Sequence, residues 1–105
     1  MDRFEIPWEW LGERERLQEK ARQTGYPFVD LDRVVKDKFA KDLLPLETMR
    51  RLRLRPLIVK ADTLYVAMAD PFDISAITEV EAATGYRVNP VFVVPSELDK
   101  SLNVC

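Results

Sequence analysis

Two short runs of strand-forming residues near the middle of the chain constrain its fold more than any other feature. Pro56 to Val59 and Leu64 to Ala69 are separated by a four-residue turn sequence at 60–63, a spacing that predicts an antiparallel β-hairpin. Apolar residues fill the second run, as in a strand that is partly covered on both faces. Asp-Pro at residues 70–71 ends this strand, because proline has no N–H to donate to a neighbouring strand.

A helix is predicted directly after the hairpin. Asp73 is a natural N-cap, because its carboxylate can accept hydrogen bonds from the free N–H groups at the start of a helix. The helix is expected to run to Thr84 and to end at Gly85, since glycine tolerates the left-handed conformation that terminates many helices. Its predicted inward face consists of Ile74, Ile77, Val80 and Ala83.

Three further elements are predicted between Gly25 and the hairpin. Residues 27–31 have the composition of a short buried strand, and Asp32 is placed to cap a helix that stops before Pro45. Pro45 can open a second short helix, because the first helical residue needs no N–H. The apolar residues assigned to these helices are Val34, Val35 and Phe39 for the first and Leu46, Met49 and Leu52 for the second.

Two elements complete the pattern towards the C-terminal end. Val88 to Val94 is predicted to form a strand, with Pro90 near its start or on a sheet edge. Pro95 opens a last short helix that extends through Leu102. Strands and helices therefore interleave along the chain. This order predicts an α/β fold, a two-layer sandwich with a small mixed sheet of three or four strands.

Residues 1–24 differ in character from residues 25–105, and we treat them as an N-terminal helical segment attached to the α/β domain. Charged residues alternate densely along the segment, while Leu17 and Ala21 provide only a narrow apolar stripe. Gly25 is placed to end this helix. Because so polar a helix buries little area, it is expected to depend on other contacts.

The beginning of this segment concentrates apolar side chains. They are Phe4, Ile6, Trp8, Trp10 and Leu11. Such a cluster is unfavourable in water, so something is expected to cover it. Trp8, Trp10 and Leu11 are therefore predicted to contact a partner, on an arm that packs loosely and can detach from the domain. The alternative is a permanently docked helix that completes the core.

The sequence lacks the residue sets on which common enzyme chemistries depend. Its 105 residues include no histidine and one cysteine, Cys105, which excludes histidine-based catalysis and multi-cysteine zinc sites. The sequence contains neither of the glycine-rich motifs that bind phosphates, G-x-x-x-x-G-K-[ST] and G-x-G-x-x-G. Asp70 and Asp73 flank a strand-to-helix turn, but turn formation and helix capping account for both carboxylates. We expect no enzymatic activity, no metal and no cofactor in this chain.

Positive charge is concentrated between Arg33 and Lys60, where nine basic residues accompany three acidic ones, although the whole chain has a net charge of −2. Guanidinium groups in this segment can clasp an acidic partner surface or a phosphate. They can equally complement a helix dipole and stay solvated, and the charge asymmetry can cancel when the halves fold together. No aromatic residues alternate with them, which argues against nucleic-acid binding. The candidate partner-binding arginines are Arg50, Arg51, Arg53 and Arg55.

No run of apolar residues approaches the ~20 that a membrane helix requires, so direct membrane insertion is not expected.

Five short segments carry a pattern that extends over about three quarters of the chain. They are Gly25 to Leu31, Leu43-Leu44-Pro45 with Arg55-Pro56-Leu57, Leu64 to Asp73, Thr84-Gly85 with Val88 to Val91, and Pro95 to Leu98. In this order and spacing they resemble the N-terminal domain of type II secretion and type IV pilus assembly ATPases. The strongest segment, residues 64–73, is very similar to the family pattern L-x-V-A-M-A-D-P-x-D.

The resemblance implies a bacterial α/β domain that precedes an ATPase core and does no chemistry itself. It also implies a docking role in protein transport, in which the domain binds the cytoplasmic part of an inner-membrane secretion or pilus component. The domain would then be cytoplasmic and would reach the inner membrane only through that partner. The chain is either an excised domain or a free-standing homologue.

A second branch of the family implies an alternative function. Related domains in that branch bind cyclic di-GMP through tandem R-L-G-x-x-L…Q helical motifs. This sequence offers Trp10-Leu11-Gly12-Glu13, with tryptophan in the arginine position and Glu15 in the leucine position. The alternative is a regulatory domain that senses a cyclic dinucleotide, with the arginine-rich residues 50–55 as its contact.

Overall fold

The computed structural model describes residues 12–103, which contain five helices and three strands. The predicted α/β fold with a small mixed sheet is confirmed, and so is the order of elements except for one strand. The helices are α1 (Glu13–Thr24), α2 (Lys38–Lys41), α3 (Leu46–Leu52), α4 (Ile74–Thr84) and α5 (Pro95–Asn103), and the strands are β1 (Leu54–Lys60), β2 (Thr63–Met68) and β3 (Arg87–Phe92).

The sheet has the order β1-β2-β3. The predicted hairpin is confirmed: β1 and β2 are antiparallel, and Lys60 pairs with Thr63 across the turn. β3 is parallel to β2, with Leu64 opposite Val88. Helix α4 connects these two strands, as parallel neighbours require a crossover connection. Because β2 and β3 run in the same direction, the loops that follow them emerge at the same end of the sheet.

The central strand β2 lies at the middle of the hydrophobic core. Leu64, Val66 and Ala67 are fully buried, so side chains from both faces of β2 are covered, as predicted. Helix α5 adds Leu98 and Leu102, and α3 adds Met49. Every residue in this core cluster is apolar.

The local signals at the helix ends are confirmed. The Asp73 carboxylate accepts a hydrogen bond of 3.1 Å from the N–H of Ala76, which caps α4. Gly25 and Gly85 end α1 and α4 in the left-handed conformation, with φ of 84° and 76°. A side chain at either position would be strained in this conformation, which explains why both helices stop where they do.

The predicted strand at residues 27–31 is wrong in extent, because this segment pairs with β3 only through one bridge to Phe92. The outward edge of β3 offers few other N–H donors. The N–H of Val88 donates to the Glu81 carboxylate at 3.0 Å, and Pro90 has no N–H. A fourth strand therefore cannot form a regular ladder along this edge.

The helix predicted from Asp32 is also wrong. The chain stays non-helical through Asp37, whose N–H donates to the carbonyl of Leu57 in β1 at 2.7 Å. The Asp37 side chain then caps α2 by accepting from the N–H of Phe39. As a result Val35 and Phe39 lie on the surface, with 67% and 55% of their area exposed, rather than in the core.

The inward face of α4 differs from the prediction. Ala76 and Val80 are buried and Ile77 is half-buried, whereas Ala83 is exposed and Ile74 is 69% exposed. Ile74 lies two positions before Ala76, a rotation of roughly 200° around the helix axis, so the two side chains point to opposite sides.

Candidate interaction surfaces

The predicted arginine cluster lies at the end of α3 and the start of β1. The Arg50 guanidinium donates to the carbonyl of Leu102 in α5 at 3.1 and 3.3 Å. Arg53 forms two hydrogen bonds, of 3.1 and 2.7 Å, to the carboxylate of Asp99, also in α5. Such bidentate contact fixes the orientation of the guanidinium plane.

The other two arginines also have partners within the chain. Arg51 forms a salt bridge to Glu79 of α4, and Arg55 donates to the hydroxyl of Ser101. All four arginines thus contact α4 or α5. The charge asymmetry between the basic middle and the acidic C-terminal part of the sequence is therefore partly cancelled by folding. That these arginines also contact a partner stays a prediction.

The contact between Arg51 and Glu79 shifts both protonation equilibria. The hydrogen bond from Arg51 is the main cause that lowers the pKa of the Glu79 carboxyl below its ordinary value of 4.5. The same hydrogen bond raises the pKa of Arg51. Hydrogen bonding to Asp99 likewise raises the pKa of Arg53. These pairs are solvent-exposed, so their effect on stability is small.

We expect the Glu79 carboxyl to titrate below pH 4.5 in the folded chain. Because its folded-state pKa lies below the unfolded value, the pair stabilises the fold above the unfolded pKa and stops doing so as pH falls through the folded pKa. Carboxyl NMR titration should show the low pKa in the wild type and its return towards 4.5 in Arg51→Ala. Arg53→Ala is the matched control and should leave the Glu79 titration unchanged. A low Glu79 pKa that survives in Arg51→Ala would contradict the assignment.

One group of exposed side chains lies in and beside α2. Val35 and Phe39 are four positions apart in the sequence, so their Cα atoms are at most about 14 Å apart. We call these two residues, with the neighbouring cations Lys36, Lys38 and Lys41, the lysine–phenylalanine patch. Lys38 pairs with Asp42 one helical turn later, at 2.8 Å, and keeps most of its side chain in solvent. A cavity of about 240 Å³ adjoins the patch and is lined by Lys36, Asp37, Lys38, Lys41, Asp42 and Arg55.

A second apolar surface lies at the end of the sheet where β2 and β3 stop. Phe72 packs edge-on against Phe92 with ring centroids 5.8 Å apart, and Tyr26 lies 6.1 Å from Phe72. Phe92 is buried, but Phe72 remains 51% exposed. Ile74, at the start of α4, is also exposed. This surface and the lysine–phenylalanine patch belong to different elements, since α2 packs against β1 whereas Phe72 contacts β3.

The carboxylates at the strand-to-helix turn have the structural roles predicted for them. Asp70 accepts from the N–H of Phe72 at 3.0 Å, and Asp73 caps α4. Within residues 12–103 no group of three or more carboxylate or thiol side chains is placed to hold a metal ion. None of the helices described is long and apolar enough to cross a membrane.

The predicted anchors Trp8, Trp10 and Leu11 lie outside the described residues, so their prediction stays open. The helix that follows them buries one residue, Ala21. Near its start, Arg14 forms a salt bridge to Glu97 and lies 5.9 Å above the Phe28 ring. Helix α1 is thus attached mainly by surface contacts.

Val35, Phe39 and Ile74 are surface residues that sequence reasoning missed. It listed Val35 and Phe39 among the apolar residues of the helix predicted from Asp32, and it placed Ile74 on the inward face of α4. The lysines at positions 36, 38 and 41 indicate that the segment around Val35 and Phe39 is exposed. The prediction instead followed the apolar residues of the segment.

Comparisons with known proteins define what kind of domain this is. The MshEN domain profile matches residues 24–105. The type IV pilus assembly ATPases PilB of Pseudomonas aeruginosa and Thermus thermophilus are 28% identical over 83 residues and 35% identical over 82 residues. These matches cover 79% and 76% of this chain but 15% and 9% of the relatives, so the chain corresponds to a small part of each.

Solved structures agree with the sequence relatives. The structure of MshE with cdg superimposes with a TM-score of 0.79 at 31% identity, over 91% of this chain and 70% of that one. The N-terminal domain of XpsE gives a TM-score of 0.72 at 25% identity, over 90% of this chain and 68% of that one.

The fold and the relatives together define an N-terminal domain of the kind found in type II secretion and type IV pilus ATPases, as the sequence resemblance predicted. More specifically, the chain belongs to the MshEN domain family.

Proposed function

We propose that this chain is a non-catalytic docking domain that binds a protein component of a secretion or pilus motor. The observation that carries the proposal is the exposure of four large apolar side chains on a small domain: Val35, Phe39, Phe72 and Ile74. Apolar side chains grouped on a surface favour protein contact, because their burial in an interface removes them from water. The partner we propose is the cytoplasmic part of an inner-membrane component, which would hold the domain at the membrane.

The N-terminal segment is proposed to take part in this docking. Helix α1 buries one apolar residue, so little hydrophobic area holds it to the body. We infer that residues 1–24 form an arm that can separate from the sheet and that Trp8, Trp10 and Leu11 contact the partner. The arginines at 50–55 would lie at the rim of such an interface, where charges contribute to orientation more than to affinity.

Docking is testable with the purified cytoplasmic region of an inner-membrane secretion or pilus protein from the same organism. We expect a one-to-one complex in calorimetry, weakened about tenfold or more when exposed aromatic residues are truncated at the contact. The isolated chain should neither hydrolyse ATP nor bind it tightly. Micromolar ATP affinity, or failure of every such cytoplasmic region to bind, would contradict the docking proposal.

The second candidate function is the sensing of cyclic di-GMP, and the relative solved as MshE with cdg favours it. If the nucleotide used the arginines at 50–55, its phosphates would have to compete with Glu79 and Asp99 for Arg51 and Arg53. Titration with cyclic di-GMP separates the two functions. Saturable binding that is weakened by salt and by Arg51→Ala with Arg53→Ala supports the sensor, whereas no binding leaves the docking function.

A further inference from the structure

The basic residues between Arg33 and Lys60 have two kinds of surroundings in the folded chain. Arg50, Arg51, Arg53 and Arg55 contact α4 and α5. Lys36, Lys38 and Lys41 of the same segment lie in or beside α2 instead, near two apolar side chains that the core does not use. From this division we propose that the lysine–phenylalanine patch binds an acidic segment of a partner protein, with an apolar side chain of that segment against Phe39. The inference rests on the proposed docking function and specifies the chemistry of its partner.

The apolar part of the patch provides the centre of such a contact. Phe39 and Val35 are more than half exposed, yet each is flanked in sequence by lysine. An apolar centre with a charged rim is the usual arrangement of a protein interface, and aromatic residues at the centre contribute most of the affinity. Phe39 is also held in place, since its N–H bonds to the Asp37 carboxylate and α2 packs on β1. The backbone at Phe39 is therefore already ordered before a partner binds.

The cavity, which is lined by the lysines of the patch and not by Phe39 or Val35, suits a carboxylate side chain. Its volume of about 240 Å³ is lined by four cations and two carboxylates. One of these carboxylates, Asp37, is engaged in capping α2, and the other, Asp42, is paired with Lys38. Lys38 is charged at neutral pH, because its ordinary pKa of 10.5 lies well above 7 and the hydrogen bond to Asp42 raises this pKa further. An incoming carboxylate would therefore meet a site with an excess of positive charge.

The pattern of charges favours a protein over an anionic membrane surface. Residues 32–42 contain four cations, with three carboxylates interspersed among them along the chain. A uniformly anionic bilayer would attract the cations and repel the carboxylates between them, so the net attraction would be weak. A protein segment can instead match both signs at their positions, which provides specificity.

The test uses the full chain and a random twelve-residue peptide library displayed on phage. We expect the enriched peptides to carry aspartate or glutamate beside an apolar residue. Synthetic copies should lose affinity at least about tenfold for Phe39→Ser and for Lys38→Glu combined with Lys41→Glu. Phe72→Ser is the matched control, because Phe72 is similarly exposed on a different surface, and it should bind the peptides as the wild type does. Circular dichroism confirms folding of each variant, and Val35→Ser provides a second probe of the patch.

Three outcomes would overturn the proposal: enriched peptides without acidic residues, equal binding by Phe39→Ser, or Phe39-dependent sedimentation with phosphatidylglycerol vesicles in the absence of peptide binding. The result is separable from that of the docking test. If the cytoplasmic partner region binds Phe39→Ser as it binds the wild type, docking stands and this surface assignment fails. If acidic peptides bind the patch but no secretion or pilus component binds the chain, the surface assignment stands and the proposed function fails.

Discussion

Replacing Leu64 with alanine is expected to lower the free energy of unfolding by about 3 kcal/mol. Leu64 is fully buried in β2, the central strand, and lies in the main core cluster. The truncation removes buried methyl groups and leaves a cavity that the surrounding sheet and helices can fill only in part. Urea unfolding followed by circular dichroism measures the loss as a lower midpoint at unchanged slope.

Ile74→Ala is the matched control for this prediction. Sequence periodicity assigned Ile74 to the core, but the side chain is largely exposed at the start of α4. Its truncation should change stability by no more than about 0.5 kcal/mol. A large loss for Ile74→Ala, or a small one for Leu64→Ala, would mean that the burial of these two side chains differs from that described.

The elements that could be predicted from the sequence are those with signals close together in the chain. Asp73 and Gly85 delimit α4 because a cap acts on residues within one turn. The hairpin follows from a short turn between two apolar strands. Such interactions depend on neighbours in sequence, so the residue types alone suffice to locate them.

The elements that could not be predicted depend on distant contacts. Asp32 and Asp37 are both suitable N-caps, and the choice falls on Asp37 because its N–H bonds to Leu57, twenty positions later. Residues 27–31 form one bridge to β3 and no full strand. Along that edge the N–H of Val88 is bonded to Glu81, and Pro90 has no N–H to donate. No local pattern carries this information.

The same distinction explains how far the candidate site could be predicted. The arginines at 50–55 stand out in the sequence, but the acidic and carbonyl groups that they contact are 28 to 52 residues away. Sequence reasoning could therefore name the cluster without knowing its intramolecular partners. The lysine–phenylalanine patch was missed for a related reason, since exposure of Phe39 follows from where α2 begins.

Deletion of residues 1–24 is expected to abolish partner binding while leaving the α/β body folded. Helix α1 buries Ala21 and is otherwise attached by surface contacts such as the Arg14–Glu97 salt bridge, so the core loses little when the helix is removed. For the same reason, amide hydrogens of α1 should exchange faster than those of β2 in the intact chain. Partner binding should fail because the deletion removes Trp8, Trp10 and Leu11 together with the helix that follows them in sequence.

A shorter deletion, of residues 1–11, separates the anchors from the helix. It retains α1 and its contacts to the body, so its stability should match that of the full chain, while its affinity for the partner should fall as far as in the longer deletion. Titration calorimetry and urea unfolding of both variants measure the two effects independently. If the longer deletion unfolds or aggregates, and α1 in the intact chain exchanges as slowly as β2, the segment is a structural part of the core and the detachable arm is wrong. If both deletions bind the partner normally, the tryptophans do not contact it, and the interface must lie on the body of the domain.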